Sequence, residues 1–183
     1  MEIATVAAVA AVGQAVAGAL PTHRQCSIQI SNHCSSYALC NPRFHQVSGS
    51  SSSPFPPTIP AMSSGSGLFI KTPHAACGAV GVCTYDLEHN DTKRREEKLA
   101  VMYSVPYDFN LYSNWYAVGV LGARTPCDYD LYCQMYYKAS RCFIRGKANG
   151  PALAHEGDRF TVLATMSDTY QPVMKVQINQ THK

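Results

Sequence analysis

Ser104-Val105-Pro106-Tyr107-Asp108-Phe109-Asn110-Leu111-Tyr112-Ser113-Asn114-Trp115-Tyr116 interleaves aromatic rings with small polar residues. Aromatics with a polar tip suit a place where one end is apolar and the other wet, as at a membrane surface, where Trp and Tyr gather. Pro106 fixes a backbone angle at the start of the stretch, and Asp108, Asn110, Ser113 and Asn114 are turn formers. A second aromatic group follows at Tyr129, Tyr132, Tyr136 and Tyr137. Rings from two such segments can wall a cage for a quaternary ammonium group such as choline, held by cation–π attraction. The competing reading is a set of core rings around one turn.

Strand signals surround the stretch. Upstream, the apolar runs Ala76 to Tyr85 and Leu99 to Val105 enclose a charged segment, which predicts a long hairpin. Lys93-Arg94-Arg95-Glu96-Glu97-Lys98 reads as its solvated tip. Cys26 to Ser31 alternates apolar and polar, as a half-buried strand does. Ser48 to Pro60, dense in Ser and Pro, reads as a loop, and Ser64-Gly65-Ser66-Gly67 as a turn before a strand at Leu68. Downstream, Trp115 to Leu121, Thr161 to Thr165 and Val173 to Ile178 read as strands. Asp128 to Tyr137 carries its apolar residues at helical spacing. Many short strands with turn signals predict a mostly β protein: a single sandwich over residues 21–183 flanked by two helices.

The first helix belongs to residues 1–20. Ile3, Val6, Val9, Val12, Val16 and Leu20 step by three or four and draw one apolar stripe, alanine fills most of the rest, and Pro21 ends the run. No charge occurs between Ile3 and Leu20. Eighteen helical residues measure about 27 Å, near the thickness of a hydrocarbon core. Three readings stand: a signal peptide, which suits Ala15-Val16-Ala17 but not the acidic Glu2; a permanent anchor; and a detachable helix that docks on the domain and moves into a bilayer. The residues alone leave the three open.

A chain of 183 residues with 46% hydrophobic and 15% charged residues fits one globular domain. A net charge of +3 permits attraction to an anionic membrane but is no nucleic-acid footprint. The eight cysteines are an even number, which a disulfide framework would need, yet no Cys-x-x-Cys occurs. Cys77 and Cys83 are expected on one strand face, too far apart to bridge. The preferred reading makes most cysteines small buried hydrophobes in a reduced, cytosolic compartment. Two sequons, Asn90-Asp91-Thr92 and Asn179-Gln180-Thr181, suit a secreted chain. Nothing signals an enzyme: His155-Glu156 lacks the second histidine of a zinc protease, and neither a Gly-x-Ser-x-Gly nor a phosphate loop occurs. No metal or cofactor is expected.

The stretch from Ser104 to Tyr116 resembles the signature segment of the actinoporins, the pore-forming cytolysins of sea anemones, and of actinoporin-like proteins of other animals. Gly78-Ala79-Val80-Gly81-Val82, Ala100-Val101-Met102-Tyr103 and Leu131-Tyr132-Cys133-Gln134-Met135-Tyr136-Tyr137 resemble three further family segments in the family's order. The resemblance runs from about Ala17 to the end. It implies a β-sandwich between two helices and a toxin that causes cytolysis and hemolysis. Such a protein is secreted or soluble, stored in nematocysts in a cnidarian, and acts at a target cell membrane. There it oligomerises and inserts its N-terminal helix to form a cation-conducting pore for ion transport. The implied partners are membrane lipids with phosphocholine headgroups, as in sphingomyelin, and further copies of the chain.

Carried onto matching positions, the headgroup site comprises Ser48, Val80, Ser104, Pro106, Tyr112, Tyr132, Tyr136 and Tyr137, with Leu111, Trp115 and Tyr116 at the membrane interface. Tyrosine faces suit a trimethylammonium group, and Tyr and Ser hydroxyls suit phosphate oxygens. Two departures stand out. Leu111 replaces the family's usual loop-tip tryptophan, and Arg145-Gly146-Lys147 replaces an Arg-Gly-Asp linked to oligomer contacts. The rival from another class is a non-lytic, lectin-like lipid- or glycan-binding module of the same fold.

Overall fold

Apolar side chains on both faces of three consecutive strands make one sheet serve two cores. The computed structural model describes residues 24–181. The strands, in chain order, are β1 (Gln25–Asn32), β2 (Tyr37–Ser48), β3 (Ser50–Ser53), β4 (Thr58–Ile59), β5 (Ser64–Ile70), β6 (Ala79–His89), β7 (Arg95–Val105) and β8 (Trp115–Gly122). Helix α1 (Tyr129–Tyr137) follows, then β9 (Phe143–Lys147), β10 (Leu153–Glu156), β11 (Phe160–Met166) and β12 (Val173–Gln180). One six-stranded sheet has the order β10-β11-β12-β1-β5-β3, the other β4-β2-β6-β7-β8-β9. Strands β1 and β12 pair in parallel; the other pairs are antiparallel. The mostly β sandwich is therefore present.

Successive strand residues point to opposite faces. Tyr85, Leu99, Val101, Tyr103, Tyr116 and Val118 point inward to meet Ile28, Ile30 and Phe69 from the facing sheet. Their neighbours Val82, Ala100, Met102, Ala117 and Leu121 form a second core, under α1. The small side chains of Ala100 and Ala117 leave room for Leu131, Tyr132 and Met135 of the helix. Burying one such Leu or Met side chain contributes roughly 2 kcal/mol.

The Asp128 carboxylate caps α1 by accepting from the Leu131 N–H at 3.0 Å. The helix stops where Lys138 turns extended, its N–H bonded to the Gln134 carbonyl.

Several readings of the sequence need correction. The Ser- and Pro-rich segment after Ser48 is not all loop: β3 and β4 lie in it, one at an edge of each sheet. Ser64 to Gly67 is not a turn but the first half of β5, pairing with β1 from Ser64↔Ser31 onward. Gly65 lies beneath Pro56 and Ile59, where a β-carbon would come within 2.5 Å of Pro56, and Gly67 lies close under the Phe55 ring. The charged run is not only a hairpin tip: Arg95 to Lys98 begin β7. There Arg95 pairs with Glu88 at 2.6 Å, and the buried Lys98 donates to the Thr125 carbonyl at 2.8 Å.

Cys77 lies before β6 rather than on it. Cys26, Cys34, Cys40 and Cys83 are buried, Cys142 is exposed, and all eight thiols are free. The expected helix over residues 1–20, with Ile3, Val6, Val9, Val12, Val16 and Leu20, lies outside the described residues.

Candidate functional site

Strand pairing alone lines up much of the site. Ser48 faces Val80, Val80 faces Ser104, Ser104 faces Trp115, and Trp115 faces Lys147. This row crosses five strands on the side that carries α1. The helix adds rings above it. Tyr129 and Tyr132 stack with centroids 6.2 Å apart, Tyr132 and Tyr136 at 5.6 Å, as three- and four-residue spacing dictates. Tyr137 meets Tyr136 edge-on at 4.7 Å. Trp115 meets Tyr136 edge-on at 6.2 Å, joining the ladder to the row.

The loop between β7 and β8 forms the other wall. Pro106 is buried at its start. Asp108 turns the chain: its carboxylate accepts from Asn110 N–H at 2.8 Å and its carbonyl from Tyr112 N–H at 3.0 Å. That turn lifts Leu111 and Tyr112 into solvent, at 72% and 60% exposure. The buried Asn114 pins the far end by donating to the Thr169 carbonyl at 2.8 Å. Arg24 braces the middle. Its guanidinium donates to the Tyr107 carbonyl at 2.9 Å and lies 4.4 Å from the Tyr170 ring centroid.

The residues divide by depth. Val80, Ser104 and Tyr132 are the floor. Tyr132 is buried, which pushes its phenol well above the ordinary tyrosine range, and the Ser104 hydroxyl bonds to it and offsets part of that rise. Tyr136 is half-buried. Burial raises its phenol too, and the Arg145 charge works against the rise. Tyr112 acts electrostatically on the same phenol. Tyr137, 69% exposed, is the rim. The Ser48 hydroxyl donates to the Gly78 carbonyl at 3.0 Å, so its proton is used within the protein.

Tyr116 does not belong with the interface residues. Next to Trp115 on β8, it points the opposite way, is 1% exposed, and has its hydroxyl 3.5 Å from the Ala164 carbonyl across the sandwich. A ring in the inter-sheet core presents nothing to a membrane.

Two cations were not among the expected site residues. The Arg145 guanidinium stacks 4.1 Å from the Trp115 ring centroid, and the Lys147 ammonium lies 5.6 Å from it. Alternation along β9 puts both on the helix side. The detectable signal was the spacing Phe143-x-Arg145-x-Lys147, one strand face that opens apolar and ends cationic.

Among the described residues, no group of three or more His, Cys, Asp or Glu is placed to hold a metal. No described helix is long and apolar enough to cross a membrane.

The family model for the sea anemone cytotoxic protein matches residues 16–180. Among curated proteins, DELTA-actitoxin-Aas1a of Anthopleura asiatica is 43% identical over 36% of this chain and 28% of its own length. Cytolysin tenebrosin-B of Actinia tenebrosa is 32% identical over 57% of this chain and 45% of its own. Bryoporin of Physcomitrium patens is 28% identical over 60% and 58%. The matched segments thus span less than two thirds of each relative. Among solved structures, the lipid-binding protein Nakanori superposes with a TM-score of 0.65 at 9% identity, covering 85% of this chain and 70% of its own. At that identity the likeness speaks for the fold.

Proposed function

The chain belongs to the sea anemone cytotoxic protein family, and from that membership we propose that it binds phosphocholine headgroups at the tyrosine ladder and permeabilises the membrane it binds. The family is one of cytolysins, not of enzymes. The observation that carries the proposal is the ring ladder Tyr129–Tyr132–Tyr136, which ends against Trp115 and faces a loop that holds Tyr112 in solvent.

A trimethylammonium group cannot donate hydrogen bonds; it is recognised by negative ring faces that replace its hydration shell. Tyr112, Tyr136 and Tyr137 supply such faces at the accessible edge of the ladder. Their hydroxyls can donate to the adjoining phosphate. Leu111, on the same turn as Tyr112, enters the acyl region. The bound chain then oligomerises, and residues 1–20 enter the bilayer to line a pore. The protein acts from solution at a target cell membrane.

Removing two of the rings tests the reading. In cosedimentation with phosphatidylcholine and sphingomyelin vesicles, Tyr112→Ala with Tyr136→Ala weakens binding by about tenfold, at roughly 0.5–1 kcal/mol per exposed ring. Leu163→Ala, an exposed residue on the far sheet, leaves it unchanged. Undiminished binding by the double variant removes the headgroup assignment.

A further inference from the structure

Arg145 and Lys147 share the ring of Trp115, and neither is within ion-pairing distance of a carboxylate among the described residues. The cations that do form ion pairs lie elsewhere: Lys93 has Glu88, Arg95 has Glu88 and Asp86, Lys98 has Asp86, and Arg159 has Glu96 and Glu97. Those pairs occupy the opposite end of β6 and β7 from Val80 and Ser104. The ladder end therefore carries two positive charges with no internal counterion.

The stacking has a second consequence. A guanidinium lying on an indole covers one of its faces and keeps its N–H groups free at the edge. The Arg145 Nε is buried without a hydrogen-bond partner, so this face against the ring is closed to water. Lys147 ends the cross-strand row at the exposed margin of β9. A planar fork beside a mobile ammonium is an arrangement that takes a phosphate or carboxylate oxyanion.

We propose that Arg145 and Lys147 form an anion-binding arm beside the tyrosine ladder, which takes the oxyanion of a lipid headgroup of net negative charge. The proposal rests on the ladder being the lipid-facing surface. It adds to it a preference for membranes that mix choline lipids with anionic ones. The choline group sits on the tyrosines, and a neighbouring anionic headgroup reaches Arg145 and Lys147.

The test compares the full chain on vesicles of phosphatidylcholine alone and of phosphatidylcholine with a minority of phosphatidylserine. The wild type binds the mixed vesicles more tightly, and the gain shrinks as salt is raised. Lys147→Gln lowers binding to mixed vesicles by about fivefold and leaves binding to phosphatidylcholine within about twofold. Lys147→Glu lowers it further. Lys175→Gln, an exposed lysine on the far sheet, serves as the charge-matched control and changes binding little.

Soluble glycerophosphate separates the two possible sources of the oxyanion. A lipid-borne ligand resists its competition at millimolar concentration, whereas a free-phosphate site is blocked by it and overturns the lipid assignment. Equal losses from Lys147→Gln and Lys175→Gln reduce the effect to net charge and overturn the arm. So does a wild type with no preference for mixed vesicles. If Lys147→Gln aggregates without altering lipid choice, the lysine only guards a sheet edge, and the arm is likewise rejected. These outcomes are separable from failure of the ladder reading, which shows on phosphatidylcholine alone.

Discussion

One backbone approach holds the two walls of the site together. A β-carbon on Gly78 would lie 2.0 Å from the Val105 carbonyl oxygen and 3.1 Å from Pro106 Cα. The strand that carries Val80 can therefore reach the start of the aromatic loop only without a side chain there. Ser48 reinforces the junction by donating to the Gly78 carbonyl. Gly78→Ala must push backbone against backbone, at a cost of about 2–3 kcal/mol, and it displaces Pro106 relative to the ladder. Urea denaturation and vesicle cosedimentation measured together will register both losses. Gly122→Ala, where no atom lies within 4 Å, is the neutral comparison. Single residues also mark how far the site was legible in the sequence. Matches to the actinoporin segments pointed to Val80, Ser104, Tyr132 and Tyr136, and strand pairing and helix spacing set Val80 beside Ser104 and Tyr132 beside Tyr136. They did not separate Tyr116 from Trp115, since a strand reverses its facing at each step and the sequence does not say which face is inner. Nor did they single out Arg145 and Lys147, whose meaning comes from stacking on a tryptophan thirty residues earlier.

Elements were legible where their pattern was local. Strands β6, β7 and β8 and helix α1 announced themselves through long apolar runs or a three-to-four spacing. Strand β3 and the first half of β5 did not, because their Ser and Gly residues are turn formers that long-range pairing with neighbours overrides. Strands β2, β9 and β10 were missed altogether; β2 carries bulges that break its alternation between Cys40 and Arg43 and between Gln46 and Ser48. Strand β10 holds a prediction of its own. It is an edge strand of four residues whose alternation turns Leu153 and His155 inward. Burial pushes the His155 imidazole below its ordinary value of 6.5. A histidine depressed in the fold is neutral there, while the unfolded chain still binds a proton. Its contribution is thus complete above pH 6.5 and is lost as pH falls through the folded value. The urea midpoint of the wild type should drop between about pH 7.5 and about pH 5.5. His155→Gln, which cannot charge, should lose that part of the drop and show a flatter profile. An identical slope in both chains removes His155 as the source.

At the scale of the molecule, the proposed function gives the sandwich and the first twenty residues separate tasks. Among the described residues both sheets are built from Gln25–Gln180, and the surface proposed to face lipid comes from β6 to β9, α1 and the loop between β7 and β8. Residues Ile3 to Leu20 form a charge-free apolar run that, as a helix, would have about the length of a hydrocarbon core. Binding and permeabilisation should therefore be separable. A chain beginning at Pro21 should keep its thermal midpoint within a few degrees, since about 1 kcal/mol shifts the midpoint of a domain this size by roughly 3 °C. It should also bind phosphocholine vesicles as the full chain does and release no entrapped dye. The full chain should release the dye, with a lag that shortens as protein concentration rises, because assembly on the bilayer precedes the opening. Equal release from both chains assigns permeabilisation to the sandwich and ends the role of Ile3 to Leu20. Binding by the full chain without release makes it a non-lytic module that recognises the membrane through the sandwich and does not open it.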